Sequence, residues 1–275
     1  MNKLLSIVSF VLLSLVSWSQ NSTDEQLATF YYQSGEYDKA ILYYEKLYNN
    51  DPQKTYYTAL LRSYIEIENY KSAEKFVKKR VKSFGETDVN LDLAAIYAKI
   101  GNKKKEEQIY NEILKNLPNN PNRIIEIAQI FQQRKLLDYA IKVYEKGSRI
   151  VKGGYPFNIE MGELYEQKKD YKSMVESYLS LLDINEGYIS QVQAALANSN
   201  GFEKGSKESE ILREELLKNV QKKPGKTIYS ELLIWLYTKQ GNYKMAMIQS
   251  KAIDKRNNED GTRVSQLARI ARENN

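Results

Sequence analysis

The 275-residue sequence contains neither cysteine nor histidine. Without cysteine it has no disulfide framework, no thiol nucleophile and no thiolate ligand for a metal. Without histidine it lacks the side chain that most often acts as a general base near neutral pH and most often binds metal ions. Catalysis would depend on carboxylate, lysine or serine side chains alone. We therefore expect a protein that is not an enzyme and that uses no metal or other cofactor.

Long apolar runs are missing except at the N-terminus, which reads MNKLLSIVSFVLLSLVSWSQ. One lysine precedes an apolar run from Leu4 to Val16, and small residues follow at Ser17 and Ser19. This layout is typical of a secretory signal peptide, with cleavage expected after Ser19. The run has about a dozen residues, whereas a membrane-spanning helix needs about 20, so an uncleaved anchor is the less favoured alternative. The sequence predicts an exported protein, periplasmic or associated with the outer membrane of a Gram-negative bacterium.

The rest of the composition favours a folded, basic protein. Apolar residues make up 42% and charged residues 28% of the chain, which is enough to bury a core. The net charge is +6, and positive charge is concentrated in KFVKKRVK (75–82), NKKKEE (102–107) and KNVQKKPGK (218–226). We interpret these segments as solvated helix faces, with peripheral contact to an anionic membrane surface or polysaccharide as the alternative. No nucleic-acid partner is expected, because a signal peptide is predicted and no basic segment alternates with aromatic residues.

One short segment resembles part of a phosphate-binding loop. The residues PGKT at 224–227 match the end of such a loop, but the glycine required five residues before Gly225 is replaced by Val220. The segment also follows a predicted helix, whereas the loop follows a strand. We interpret it as a turn between helices in which Thr227 caps the next helix.

Aromatic residues, at 11% of the chain, recur at a regular interval. Successive intervals are 33, 33, 34, 34 and 72 residues along the series Tyr31, Tyr64, Tyr97, Phe131, Tyr165 and Tyr237. A small residue recurs in the same register at Ala40, Ala73, Ala140 and Ala246. A chemical site would be unique, whereas a structural unit repeats. The tyrosine-rich segment FYYQSGEYDKAILYYEKLYNNDP (30–52) is therefore architecture.

Each unit has the pattern of two amphipathic helices joined by a short turn. Around Gly35, apolar residues recur at helical spacing on both sides: Leu27, Phe30 and Tyr31 before it, and Ala40, Ile41, Tyr44 and Leu47 after it. Glycine suits such a turn because it adopts positive φ without strain. Pro52 and Pro118 end second helices, which proline cannot continue.

This pattern resembles the tetratricopeptide repeat, a helix-turn-helix unit of about 34 residues. The resemblance is clearest in FYYQSGEYDKAILYYEKLYNNDP, AAIYAKIGNKKKEEQIYNEILKNLP, MGELYEQKKDYKSMVESYLSLL and LLIWLYTKQGNYKMAMIQSKAI. It implies an all-α fold, a right-handed α-solenoid of helix-turn-helix repeats, and a role as a scaffold for protein–protein interactions.

The repeats divide the chain after a signal peptide at 1–19. The interval from Met174 to Ala246 is 72 residues, about four more than two periods, which predicts a degenerate sixth repeat with a longer turn. A linker over that stretch is the alternative. The final helix is either a polar terminal cap or the first helix of a further repeat in a longer protein. Within 20–275 the predicted repeats are about 21–53, 54–86, 87–120, 121–154, 155–188, degenerate 189–226 and 227–260, then a final helix at 262–274.

The resemblance also implies where a partner binds. In this family the first helices of the repeats line a concave groove that holds an extended segment or a helix of another protein. The predicted groove positions lie two residues before and one residue after each aromatic position: Thr29, Tyr32, Arg62, Ile65, Ala95, Ala98, Gln129, Gln132, Glu163, Glu166, Trp235 and Thr238. The lysine and asparagine clamp of the chaperone-binding members is missing. Trp235 is either an exposed hot spot or packed against the sixth repeat.

The sequence therefore predicts an exported scaffold within a cell-envelope or outer-membrane complex. One alternative is an envelope protein that binds glycans or anionic polymers through its aromatic and basic residues. Another is the N-terminal part of a longer multidomain protein, in which an enzymatic domain could follow Asn275. Most tyrosines occupy repeat positions, which counts against the hypothesis that they bind glycans.

Overall fold

A computed structural model describes residues 23–84, 87–199 and 202–274. The predicted signal peptide, 1–19, lies outside the described residues. The described residues form fifteen α-helices and one short 3-10 helix, with no strand among them. This confirms the predicted all-α, helix-turn-helix fold class. They fall into two compact units, one ending at Asn116 and the other beginning at Leu117.

The first unit contains three helix pairs. In each pair the helices are separated by a turn of three residues, and in the first two pairs the second helix packs against the first helix of the pair that follows. The helices are α1 (23–33), α2 (Tyr37–Asn50), α3 (Lys54–Glu66), α4 (Tyr70–Phe84), α5 (Thr87–Lys99) and α6 (Lys103–Lys115).

The second unit contains four further pairs and a terminal helix. The 3-10 helix Glu186–Tyr188 leads into α11, and a longer turn separates α11 from α12. The helices are α7 (Pro121–Gln133), α8 (Leu137–Ile150), α9 (Asn158–Gln167), α10 (Tyr171–Ile184), α11 (Ile189–Asn198), α12 (Lys207–Lys222), α13 (Ile228–Lys239), α14 (Tyr243–Asn257) and α15 (Thr262–Glu273).

The turn inside six of the pairs has the same backbone geometry. The amide five residues after each periodic aromatic donates to the carbonyl of that aromatic, as in Glu36 to Tyr31 at 2.9 Å and Asn242 to Tyr237 at 2.8 Å. This bond satisfies a carbonyl that the helix end would otherwise leave without a partner. It requires positive φ at the residue before the donor. That residue is Gly35, Gly101 or Gly241 in three turns, and Glu68, Lys135 or Lys169 in the other three.

The tyrosines of the first unit pack with one another in its core. Phe76 of α4 lies at the centre, with its ring centroid 5.0 Å from that of Tyr48, 5.3 Å from Tyr57 and 6.0 Å from Tyr64. Such aromatic pairs contribute about 0.5–1.5 kcal/mol each beyond their buried area. Small residues such as Ala28 are fully buried beside them and let the helices approach closely. The tyrosine cluster is packing, as its periodicity predicts.

The second unit has a more aliphatic core. At the small-residue position of α9, Gly162 is so close to its partner helix that a Cβ atom there would lie 2.1 Å from Cε1 of Tyr178. The stretch 189–226 contributes Val192 and Leu196 from α11 and Leu212 from α12 to this core, all fully buried. Both helices of the degenerate stretch therefore pack with their neighbours.

Candidate protein-binding surface

The predicted groove positions of the first unit lie on α1, α3 and α5. Arg62 is exposed, and its Cζ lies 5.9 Å from the centre of the Tyr32 ring on the neighbouring first helix. Tyr32 is half-buried because its ring also meets those of Tyr37 and Tyr44 edge-on, at 5.6 and 6.1 Å. The structure therefore brings Tyr32 and Arg62 together across two repeats. A cation on a rigid aromatic face offers one polar and one apolar contact to a ligand.

The other positions of the first unit are small or partly covered. Ala95 and Ala98 are exposed on α5, while the adjacent Ile96 and Tyr97 are buried in the core. Thr29 is half-buried, as is Ile65. One face of α5 thus presents methyl groups and backbone to solvent, which leaves room for another chain to approach closely.

The predicted positions of the second unit differ in exposure. Gln129 and Glu163 are exposed, whereas Gln132 is half-buried. Trp235 is half-buried and packs against the main core cluster, to which α11 and α12 of the degenerate repeat also contribute. The hydroxyl of Thr238 donates to the carbonyl of Ile234 at 2.7 Å. On α13, therefore, both predicted side chains are engaged within the protein.

Carboxylates form a stripe along α9. Glu160, Glu163 and Glu166 are spaced three residues apart, so they lie close together on one side of the helix. Partial burial of the carboxyl group, together with the negative charges of Glu160 and Glu166, raises the pKa of Glu163 above its usual range. Glu166 accepts a hydrogen bond from Ser199 at 2.5 Å. This stripe presents concentrated negative charge that complements a basic segment.

A cavity of about 280 Å³ lies at the N-terminal end of this stripe. Its lining includes Tyr155, Phe157, Glu160 and Tyr188. The Tyr155 hydroxyl donates to Glu160 Oε1 at 2.7 Å, which fixes the carboxylate at the rim. Sequence reasoning missed Glu160, although its position one turn before Glu163 could have indicated it. Nothing in the repeat pattern indicates Tyr155, since it lies in the connection between α8 and α9.

No three or more acidic side chains in the described part of the chain are grouped so that they could hold a metal ion. Within 23–84, 87–199 and 202–274, no helix combines the length and the apolar character that crossing a membrane requires.

Comparison with known proteins identifies the repeat. Two tetratricopeptide repeat family models match the sequence, one at residues 25–54 in the first unit and one at 155–188 in the second. No curated protein matches the sequence.

Three solved structures that match this chain have low sequence identity to it. The protein MamA is 19% identical, covering 62% of this chain and 94% of that one, with a TM-score of 0.31. The TPR2AB domain of yeast Sti1, in complex with pHSP90, is 18% identical, covering 92% and 98%, with a TM-score of 0.31. A tetratricopeptide repeat protein from Parabacteroides merdae ATCC 43184 is 10% identical, covering 92% and 99%, with a TM-score of 0.33.

The repeat models agree with the periodic aromatics and with the common turn geometry of six helix pairs. Each matched segment contains one complete turn with its characteristic hydrogen bond, from Glu36 to Tyr31 and from Asp170 to Tyr165. This chain therefore contains tetratricopeptide repeats, matched at 25–54 and 155–188, and this repeat architecture supports a role as a protein-interaction scaffold.

Proposed function

We propose that this protein is an exported scaffold that binds a segment of a partner protein, extended or helical, along the first helices of its repeats. The signal-peptide-like N-terminus supports export to the periplasm of a Gram-negative bacterium. A cell-envelope or outer-membrane complex is the proposed setting, with the basic segments available for peripheral contact with a membrane surface. The proposed role is binding and does not involve catalysis.

The observation that carries this proposal is the exposed face of α5. Ala95 and Ala98 lie at predicted groove positions and contribute nothing to the core, yet they flank the buried Ile96 and Tyr97. The exposed positions of the second helices α4 and α6 in the same unit, by contrast, are mostly lysine and glutamate. A strip of small residues lets another backbone approach, and Tyr32 with Arg62 provides an aromatic and cationic anchor on the same unit.

The second unit, taken by itself, offers a different chemistry to a partner. The carboxylate stripe of Glu160, Glu163 and Glu166 would attract lysine or arginine side chains. A segment that binds to the first unit is therefore proposed to be small or apolar where it meets α5, and a segment that binds to the second unit is proposed to be basic where it meets α9.

The test is site-specific photocrosslinking in living cells. A photoreactive amino acid replaces Ala98, and as matched control it replaces Ala252, an exposed alanine on the second helix α14. We expect a defined crosslinked protein from position 98 and none of the same mass from position 252. Mass spectrometry identifies the product. The proposal is wrong if position 98 yields no crosslink while the protein is exported, folded and expressed at its normal level.

A second variant tests the contact rather than the proximity. Ala98→Arg places a long cation on the exposed strip without disturbing the core. It should abolish recovery of that partner in a pull-down from envelope extract, whereas Ala252→Arg should leave recovery unchanged. Equal recovery with both variants would contradict the assignment of the partner to the first helices.

A further inference from the structure

A second concave feature lies in the first unit, between the second helices α2 and α4. It is a cavity of about 820 Å³, far larger than the one beside Tyr155. We call it the lysine groove and define it by four lysines on α4 and by the residues that form its floor and opposite wall. These are Lys75, Lys78, Lys79 and Lys82; Leu60, Tyr64, Ser72 and Phe76; and Glu45, Tyr48 and Asn49.

We propose that the lysine groove binds an acidic segment of a partner protein, one that carries an apolar side chain among its carboxylates. The site is distinct from the first-helix surface. Leu60 and Tyr64 face the groove, and Arg62 is about 200° around α3 from Leu60 at 100° per residue. Two segments could therefore bind to the first unit at the same time.

The charge of the groove comes from a single helix. α4 contains six basic residues and one acidic residue, a net charge of +5, in a chain whose total is +6. Its one acidic residue, Glu74, already pairs with Lys78 at 2.5 Å. Lys75 and Lys82 form no ion pair with any of the described residues. Because positions 75, 78, 79 and 82 share one side of the helix, the positive charge is directed along one wall.

The floor of the groove is apolar and held in place. Phe76 packs against Tyr48 and Tyr57, with ring centroids 5.0 and 5.3 Å apart. The Tyr48 hydroxyl accepts a hydrogen bond at 3.0 Å from Arg80, whose guanidinium is buried. The Tyr64 hydroxyl donates to Glu45 across the groove. These contacts fix the shape of the groove before any ligand arrives, which lowers the entropy cost of binding.

This floor favours a protein segment over the other anionic ligands. Stacking against a sugar ring needs an open aromatic face, but Tyr48 and Tyr64 are buried and one face of Phe76 is covered by Tyr57. A flat membrane surface could contact the lysines but could not reach Leu60 or Phe76 at the floor. A peptide can do both, since carboxylates reach the lysines while an apolar side chain enters the cavity. Its volume lies within the range of pockets that enclose drug-sized ligands.

The probe is a fluorescein-labelled, glutamate-rich peptide with a central phenylalanine. Its binding to the full mature chain is measured by fluorescence anisotropy. We expect saturable binding that weakens as salt is added. The double variant Lys75→Gln/Lys82→Gln should weaken binding about tenfold, because each lost ion pair costs a few-fold in affinity. The matched control is Lys103→Gln/Lys104→Gln, which removes the same charge from exposed positions on α6 and should change binding less than about twofold.

Three outcomes overturn the proposal. The first is equal weakening by both double variants, which would mean that only net charge matters. The second is undiminished binding of a peptide in which alanine replaces the central phenylalanine, because the apolar floor would then have no role. The third is that phosphatidylglycerol vesicles or polygalacturonate bind in a way that depends on Lys75 and Lys82, whereas the peptide does not bind. None of these outcomes affects the crosslink expected at position 98, so the proposals for the two sites are tested independently.

Discussion

The two units build the same repeat from different side chains. The core cluster of the first unit contains six tyrosines and four leucines, whereas the main core cluster of the second contains three tyrosines and ten leucines. A tyrosine brings a hydroxyl into or near the core, and that group needs a partner. In the first unit the partners are surface carboxylates, as in Tyr57 to Asp92 at 2.7 Å and Tyr97 to Glu74 at 2.9 Å.

This difference separates what the repeat requires from what it permits. The repeat positions specify size, burial and the turn, and both units satisfy them. The polarity of the large residues is free to vary. We therefore expect the stability of the second unit to depend mainly on packing volume, and that of the first to depend also on hydrogen bonds and charges at the edge of its core.

The largest expected effect is the removal of packing volume from the degenerate repeat. Leu212 of α12 is fully buried among residues of α10, α11 and α13. Leu212→Ala should lower the free energy of unfolding by about 3 kcal/mol, since it removes apolar contacts and leaves a cavity. Urea denaturation followed by circular dichroism measures the change.

The matched control for this variant is Leu42→Ala, at a leucine of the first unit that is 66% exposed. It should change the free energy of unfolding by less than about 0.5 kcal/mol. If Leu212→Ala were equally mild, the stretch 189–226 would behave as a linker. The expectation that the stability of the second unit depends mainly on packing volume would then be wrong.

A slightly smaller effect is expected from adding volume. A Cβ atom at Gly162 would lie 2.1 Å from Cε1 and 2.6 Å from Cζ of Tyr178, a side chain that is itself buried. Gly162→Ala should therefore destabilise the protein by about 2 kcal/mol, although alanine is the better helix former. Thermal unfolding by calorimetry tests this, with Gly225→Ala as control, because nothing lies within 4 Å of the Cβ position there. A neutral or stabilising Gly162→Ala would mean that α9 and α10 can move apart without cost.

Hydrogen bonds to buried tyrosines should contribute less than packing, and mainly in the first unit. Tyr57→Phe removes the bond to Asp92 and should cost about 1 kcal/mol. Tyr144→Phe in the second unit is the counterpart, since the hydroxyl of this buried tyrosine has no hydrogen-bond partner among the described residues. That variant should change the free energy of unfolding by only a few tenths of a kcal/mol. Chemical denaturation of both variants under one condition makes the comparison, and equal losses would contradict it.

The sequence was sufficient to predict the helix pairs because the repeat is encoded locally. Apolar spacing defines the helices, and a recurring aromatic and a recurring small residue mark where they touch. Glycine also marks the turns at Gly35, Gly101 and Gly241, all of which have positive φ. The equivalent turns at Glu68, Lys135 and Lys169 carry no such mark. There the hydrogen bonds of the two helix ends impose a backbone conformation that the residue itself does not favour.

The binding surfaces were less predictable, because they depend on which helices meet. The lysines of 75–82 were interpreted as a solvated helix face, yet all four line a cavity of about 820 Å³ together with residues of α2 and α3. Trp235 could be read as exposed or as packed, and only the position of the core cluster shows that it is half-buried. The groove positions on the first helices stay a prediction, although the structure places Tyr32 and Arg62 side by side.

The smallest effects concern pH, and they should have opposite signs in the two units. In the first, hydrogen bonds from Lys78 and Tyr97 lower the pKa of Glu74 below its ordinary value of 4.5. Its contribution to stability is therefore fully present above pH 4.5 and is lost as the pH falls through the lowered pKa. In the second, partial burial and the charges of Glu160 and Glu166 raise the pKa of Glu163 above 4.5. Its carboxylate then destabilises the fold at neutral pH, and protonation relieves this cost as the pH falls through the raised pKa.

Replacement by glutamine should expose both signs. At pH 7, Glu74→Gln should destabilise the protein by about 0.5 kcal/mol, and Glu163→Gln should stabilise it by about 0.2 kcal/mol, a small value because water screens an exposed carboxylate. The Glu163→Gln difference should shrink as the pH falls through the raised pKa of Glu163, and the Glu74→Gln difference should shrink only at lower pH, as the pH falls through the lowered pKa of Glu74. Urea denaturation at a series of pH values measures them. If both variants shifted the free energy of unfolding in the same direction at pH 7, the prediction would be wrong. Ionisation of Glu74 and ionisation of Glu163 would then not have opposite effects on stability.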